Sequence, residues 1–156
     1  MNHLPPGTWH PLLEEIRKKA KKDNVSQLVL DYGCIDDQLV SWLNCSKDLS
    51  YVAVAYTMYD SPQCLSVYYD VIILDGFLDN IKEADLEKTL KKVMLNLNTD
   101  TGALLIVLTP FFDKSPKNSS TITGILKEWG YNTNIRTVTD GRILIASRIE
   151  VENDGN

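Results

Sequence analysis

Short runs of consecutive apolar residues alternate along this chain with stretches in which apolar residues recur every three or four positions. The first pattern marks strands buried on both faces, and the second marks amphipathic helices. Leu12, Leu13, Ile16 and Ala20 have helical spacing, with Pro11 placed for a first helical position. Residues 1–10 ahead of them are expected to be irregular. Glu14 and Glu15 come early in this helix and the lysines late, as the helix dipole prefers. Gln27 to Asp31 is expected as a first strand, followed by a short helix carrying Leu39, Val40, Trp42 and Leu43 and capped by Asp36 or Asp37.

Tyr51 to Tyr56 reads as a second strand, and Thr57 to Tyr68, which contains Pro62, as a loop. Val71 to Asp75 is a third strand. The stripe Leu86, Leu90, Val93, Met94 and Leu97 predicts a helix from Ala84 to Asn98. Ala103 to Leu108 is a fourth buried strand ended by Pro110, and Phe111 to Ser120 a polar loop. Ile122, Ile125, Leu126 and Trp129 mark a last helix, which Gly130 stops. Thr133 to Val138 and Arg142 to Ile149 flank Asp140-Gly141, a type I′ hairpin signal. Residues 150–156 form a polar tail. The layout is α/β with a mostly parallel sheet.

Composition narrows the classes. At 156 residues, the chain is expected to be a single domain, 1–156, with a proper core. A net charge of −5 argues against binding nucleic acid through its backbone. The basic cluster from Arg17 to Lys22 is read as a solvated helix end. No apolar run approaches the roughly 20 residues that span a bilayer, so no membrane partner is expected. Cys34, Cys45 and Cys64 lack Cys-x-x-Cys spacing, and His3 and His10 are the only histidines. Neither a metal site nor a disulfide framework is expected, and reduced thiols fit a cytoplasmic setting. The first residues lack the charged and apolar regions of a signal peptide, which agrees with that location.

The segment Leu28-Val29-Leu30-Asp31-Tyr32-Gly33-Cys34 reads as a buried strand entering a tight turn, where open α/β sheets bind nucleotide-like ligands. The ordered set of elements from about Leu12 to Ile149 resembles the class I S-adenosylmethionine-dependent methyltransferases. Asp31, Gly33 and Cys34 match the start of that family's Asp-x-Gly-x-Gly-x-Gly pattern. Tyr69 to Ile81 looks like its fourth strand and following loop, and Trp129-Gly130-Tyr131 is similar to its approach to the final two strands. The resemblance implies a Rossmann-like methyltransferase fold: a mostly parallel sheet of about six strands, a C-terminal antiparallel hairpin and helices on both faces. It also implies that Asp31, Gly33, Cys34, Thr57 and Asp75 bind S-adenosylmethionine, and that Phe77, Asp79 and Asn80 meet a methyl acceptor.

The departures from the family are local. Ile35 and Asp37 stand where it has glycines that admit the cofactor. Tyr56-Thr57 stands where an acid holds the ribose. The interval from Tyr56 to Val71 is too short for the helix and strand the family fits there, which take about 25 residues at ordinary element lengths. Asp75-Gly76-Phe77-Leu78 replaces the Asn-Pro-Pro-Tyr-like motif of enzymes that methylate amide nitrogen.

Individual residues have plainer readings beside these. Asp31 either faces a ligand amino group or binds backbone amides of its own turn. Cys34 reads as a small core residue, and Trp42 and Trp129 as core. Trp9 with Leu4, Pro5 and Pro6 reads as a lid or a docking segment.

Two functions follow. One is a non-catalytic methyltransferase-like module that binds a protein partner, as in the N-terminal domain of the anamorsin family. The other is an active methyltransferase whose catalysis is mostly alignment of acceptor and methyl group. The lost glycines, lost acid and shortened middle favour the first. A third, minor reading is a phospho-receiver domain with Asp31, Asp75 and Thr109 at its strand ends, but the lysine after a fifth parallel strand is missing from it.

Overall fold

A computed structural model describes residues 4–20, 26–34, 36–45, 51–57, 68–109, 119–138 and 141–148. The elements in order are α1 (Pro6–Lys19), β1 (Gln27–Cys34), α2 (Gln38–Cys45), β2 (Tyr51–Thr57), β3 (Val71–Leu74), α3 (Leu86–Met94), β4 (Ala103–Leu108), α4 (Ser119–Glu128), β5 (Asn132–Val138) and β6 (Gly141–Ser147). Two 3-10 turns, Phe77–Asn80 and Glu83–Asp85, lead from β3 into α3. Among the described residues the sheet has six strands in the order β2-β1-β3-β4-β6-β5. β2, β1, β3 and β4 are parallel, and β6 runs antiparallel to both β4 and β5.

Side-chain alternation along the strands divides the core in two. Val29, Val71, Ile73, Leu105 and Ile145 face α1 and α2, where Trp9, Leu13, Ile16 and Leu43 meet them. Leu30, Ile72, Leu74, Leu104 and Leu144 face the other way, onto Leu90, Val93, Ile122 and Leu126 of α3 and α4. All four β3 side chains are wholly buried, which explains a strand with no polar position.

Several boundaries differ from the sequence reading. α1 begins at Pro6, so Pro11 lies inside the helix and residues 6–10 are helical instead of irregular. Pro6 at the first position is pre-organised for a helix, whereas Pro11 has no N–H to give the carbonyl of Gly7. The apolar stripe Trp9, Leu12, Leu13 and Ile16 compensates for that loss. Trp9 is 1% exposed, so it is a core anchor and not a lid. Trp42, expected in the core, is 38% exposed and instead meets the His10 ring edge-on at 6.3 Å.

β1 runs on to Cys34, past the expected end at Asp31. The regular part of α3 is shorter than expected, because its first turn is 3-10 and its stripe continues to Leu97 through a turn. Asp36 Oδ1 accepts from Gln38 N at 3.1 Å, the expected cap of α2, and Gly130 has the left-handed φ of +86° expected of a helix stop. Of the expected loops Thr57 to Tyr68 and Phe111 to Ser120, Thr57 instead ends β2 and Ser119 and Ser120 open α4. Residues 58–67 and 111–118, Asp140 of the hairpin turn and the polar tail lie outside the described residues.

β2 is an edge strand, and α2 covers part of its edge. The Asn44 side chain donates to Ala53 O at 2.8 Å and accepts from Ala53 N at 2.9 Å, taking the place of a neighbouring strand. Asn44→Ala removes both bonds from an edge that water still reaches, so the expected loss is about 1–2 kcal/mol, read from the urea midpoint.

Tyr51 ties β2 to α1 by donating its hydroxyl to Glu14 Oε1 at 2.7 Å. Burial first, and then the Glu14 hydrogen bond and charge, hold the Tyr51 phenol well above its ordinary value, with Arg17 opposing them. Burial likewise raises Tyr32, Tyr69 and Tyr131. The neutral form is favoured in the folded state. This stabilisation is therefore complete below about pH 10, where an unfolded tyrosine titrates, and is lost as pH rises through the folded values. The melting temperature should fall on the alkaline side, and Tyr51→Phe should make that fall shallower.

Candidate functional site

The chain leaves β1, adds β2 on one side, and returns to add β3 on the other. Adjacent parallel strands whose connections depart in opposite directions open a crevice beyond their carboxyl ends, and ligands of open α/β sheets bind there. Here that crevice lies between the ends of β1 and β3. It is bounded by Tyr32-Gly33-Cys34, by Tyr56-Thr57 of β2 and by Asp75-Gly76-Phe77 after β3.

Gly33 bends the end of β1. Its φ is +71°, and the register with β2 shifts between Tyr32, opposite Tyr56, and Cys34, opposite Thr57. Left-handed backbone of this kind is where glycine is favoured. A second constraint acts at the same position. A Cβ at Gly33 would lie 2.3 Å from Cδ2 of Phe77, closer than any real contact. The Phe77 ring therefore rests directly on the β1 backbone. Gly76, with φ +82°, turns the chain after β3 so that Phe77 can reach this place.

An aromatic group surrounds that contact. Tyr32 and Tyr56 stack with centroids 5.0 Å apart and planes at 24°, and the Phe77 ring meets Tyr32 edge-on at 5.2 Å. Desolvation first, and Tyr56 second, raise the Tyr32 phenol above its ordinary value. Such ring pairs are worth about 0.5–1.5 kcal/mol each beyond their area. The sequence reading did not single out Tyr32 or Tyr56 as a pair. Their signal was available: both lie on the strand face opposite Asp31, in register on neighbouring strands.

The expected site residues are only partly brought together. Gly33 and Phe77 are in contact. Cys34 is buried and Thr57 half-buried, opposite each other at the ends of β1 and β2. Asp31 is 5% exposed and lies within β1, between Ala55 and Ile73, instead of at a strand end. Its alternation places it with Val29, on the α1 and α2 side of the sheet. Asp75 is half-buried just after β3. Asp79 accepts from Thr109 Oγ1 at 3.3 and 3.4 Å, linking the turn after β3 to the end of β4. Asn80 is exposed, away from the Gly33–Phe77 contact. Among the described residues no group of three or more metal-binding side chains occurs.

Two features of this crevice bear on the S-adenosylmethionine contacts that the resemblance implied. The space beside the Gly33 Cα is filled by Phe77, while Ile35, at one of the positions where the family has a glycine that admits the cofactor, lies outside the described residues. At the end of β2, where an acid would hold a ribose, Tyr56 is turned into a stack with Tyr32.

No protein-family model matches the chain, and no curated protein sequence matches it. Solved structures do. An amino pentose methyltransferase from Micromonospora echinaspora, solved with S-adenosylmethionine bound, superposes with a TM-score of 0.62 at 11% identity. The match covers 88% of this chain and 89% of that one. A TehB-like S-adenosylmethionine-dependent methyltransferase from Corynebacterium glutamicum gives a TM-score of 0.53 at 15% identity, covering 88% and 91%. An O-methyltransferase family protein from Burkholderia thailandensis gives 0.57 at 13%; the match takes in 92% of this chain but 57% of that one, so the chain spans little over half its length. The fold is that of the class I S-adenosylmethionine-dependent methyltransferases. A receiver domain is overturned, because its fifth strand is parallel and here the sheet closes with the antiparallel pair β6 and β5.

Gly33→Ala tests the contact that defines the crevice. Forcing an alanine into left-handed backbone costs about 1–2 kcal/mol, and the collision with Phe77 adds about 1–3 kcal/mol. In a Phe77→Ala background only the first cost should remain, so a double-mutant cycle by urea denaturation should show clear coupling.

Proposed function

We propose that this chain is a methyltransferase-fold module that does not transfer methyl groups and acts by binding another protein. The observation that carries this reading is the Phe77 ring seated on Gly33 at the crevice between β1 and β3. A ligand held there must approach the backbone of the β1 turn, and the aromatic group of Phe77, Tyr32 and Tyr56 takes up that approach with well-packed contacts. The substitutions Ile35, Asp37 and Tyr56 at the family's contact positions support the same reading from sequence. The parallel with the anamorsin N-terminal domain is to a trimmed fold of this kind used without catalysis. No helix among the described residues is long and apolar enough to cross a membrane. We place the module in the cytoplasm, where cysteines without Cys-x-x-Cys spacing stay reduced.

The alternative is an active enzyme, and the bound S-adenosylmethionine in the structure of the Micromonospora relative keeps it in view. Calorimetric titration with S-adenosylmethionine and S-adenosylhomocysteine separates the two. The expected result is no saturable heat up to about 1 mM ligand, an affinity weaker than about −4 kcal/mol. Micromolar binding that is abolished by Asp31→Ala in a folded protein would overturn the non-catalytic reading.

A further inference from the structure

Away from the crevice, α3 with Leu95, Trp129 and Tyr131 after α4, and Arg148 after β6 line an open groove of about 730 Å³. It lies at the opposite end of the sheet: Arg148 follows Ser147, which pairs with Ala103, the first residue of β4. Lys88, Lys91, Lys92 and Arg148 line it, and no acidic residue is among its lining. Its apolar floor includes Met94 and Leu95, the latter 74% exposed, an unusual state for a leucine beside a helix end.

From this geometry we propose that the groove docks an acidic segment of a partner protein carrying aliphatic anchor residues. Four cations around one apolar groove with no carboxylate in its lining give a local positive potential where the carboxylates of a partner would be held. Arg148 is the fixed member of the set. Its Nη2 donates to Trp129 O at 3.1 Å, and its guanidinium lies 4.8 Å from the centre of the Tyr131 ring. That arrangement also favours peptide over nucleic acid. Tyr131 is buried with Arg148 across its ring, and Trp129 packs against the core, so stacking platforms for bases are taken. Leucine side chains fit against Met94 and Leu95, while the lysines, on exposed positions of α3, reach the flanking carboxylates. Docking here is independent of whether the crevice beyond β1 and β3 binds a cofactor.

The test is fluorescence anisotropy of the full chain with a labelled peptide, Glu-Asp-Leu-Glu-Glu-Leu-Leu-Asp. Saturable binding is expected, weakened about tenfold or more by Lys88→Glu with Lys91→Glu and by raising salt from about 50 to about 300 mM. Leu95→Ser should weaken it about three- to tenfold, the loss of part of one apolar anchor site, with an unchanged circular dichroism spectrum. A peptide with every Leu replaced by Ser should not bind. Three results would overturn the proposal: no binding at about 1 mM peptide, equal binding of the leucine-free peptide, or displacement by a single-stranded oligonucleotide at lower concentration than by unlabelled peptide. A wild-type dimer that Leu95→Ser dissociates would assign the groove to a second copy of this chain, and would overturn it too.

Discussion

The structure depends on two strands, β3 and β4, that carry no polar side chain and so must be covered on both faces. Every β3 residue, and Ala103 to Leu105 of β4, is fully buried. A sheet with such a centre is stable only between two helical layers, and α1 with α2 and α3 with α4 supply them. The outer strands follow from that centre. β1 and β2 extend the parallel sheet on one side, and the β5–β6 hairpin closes the other against β4. Local weaknesses are tolerated because this burial is large. Pro11 sits inside α1 without breaking it, since Trp9, Leu13 and Ile16 hold both sides of the proline to the sheet.

The same sheet creates the crevice and decides what fills it. A turn in chain direction between β1 and β3 opens space at their carboxyl ends wherever this topology occurs. In this chain Gly76 aims Phe77 into that space, Gly33 admits the ring, and the stack of Tyr32 on Tyr56 walls it. Each feature depends on the others: a side chain at Gly33 expels Phe77, and without the aromatic wall Phe77 loses its partner. The result is a packed aromatic cluster at the crevice between the ends of β1 and β3. The binding role proposed for this chain falls on another surface, the groove beside α3, where four cations and exposed apolar side chains coincide.

Much of the fold was legible from residue order. The two-faced strands, the stripe of α3 and the glycine stop of α4 follow from periodicity and spacing, and the six strands found among the described residues match the number that the family resemblance implied. These signals are local, and burial on both faces turns them into strands and helices with little ambiguity. The helix start at Pro6 was not legible. Local rules read Pro11 as a beginning, and only the packing of Trp9 against the sheet overrides them. Trp42 erred in the other direction, because helical spacing does not fix which side of α2 meets the core.

For the candidate site, the sequence by itself determined which residue types stand at the carboxyl ends of the strands, and that two glycines and an acid of the expected pattern are replaced. It could not determine how those residues meet. Asp31 and Phe77 both looked like ligand contacts. The register of β1 against β2 and β3 places Asp31 inside the sheet, while the turn at Gly76 places Phe77 on Gly33. These outcomes belong to contacts between residues far apart in sequence, as Asp31 is from Ala55 and Ile73, and Gly33 from Phe77. Such contacts exist only once the strands pair, so tertiary structure alone brings Phe77 onto Gly33.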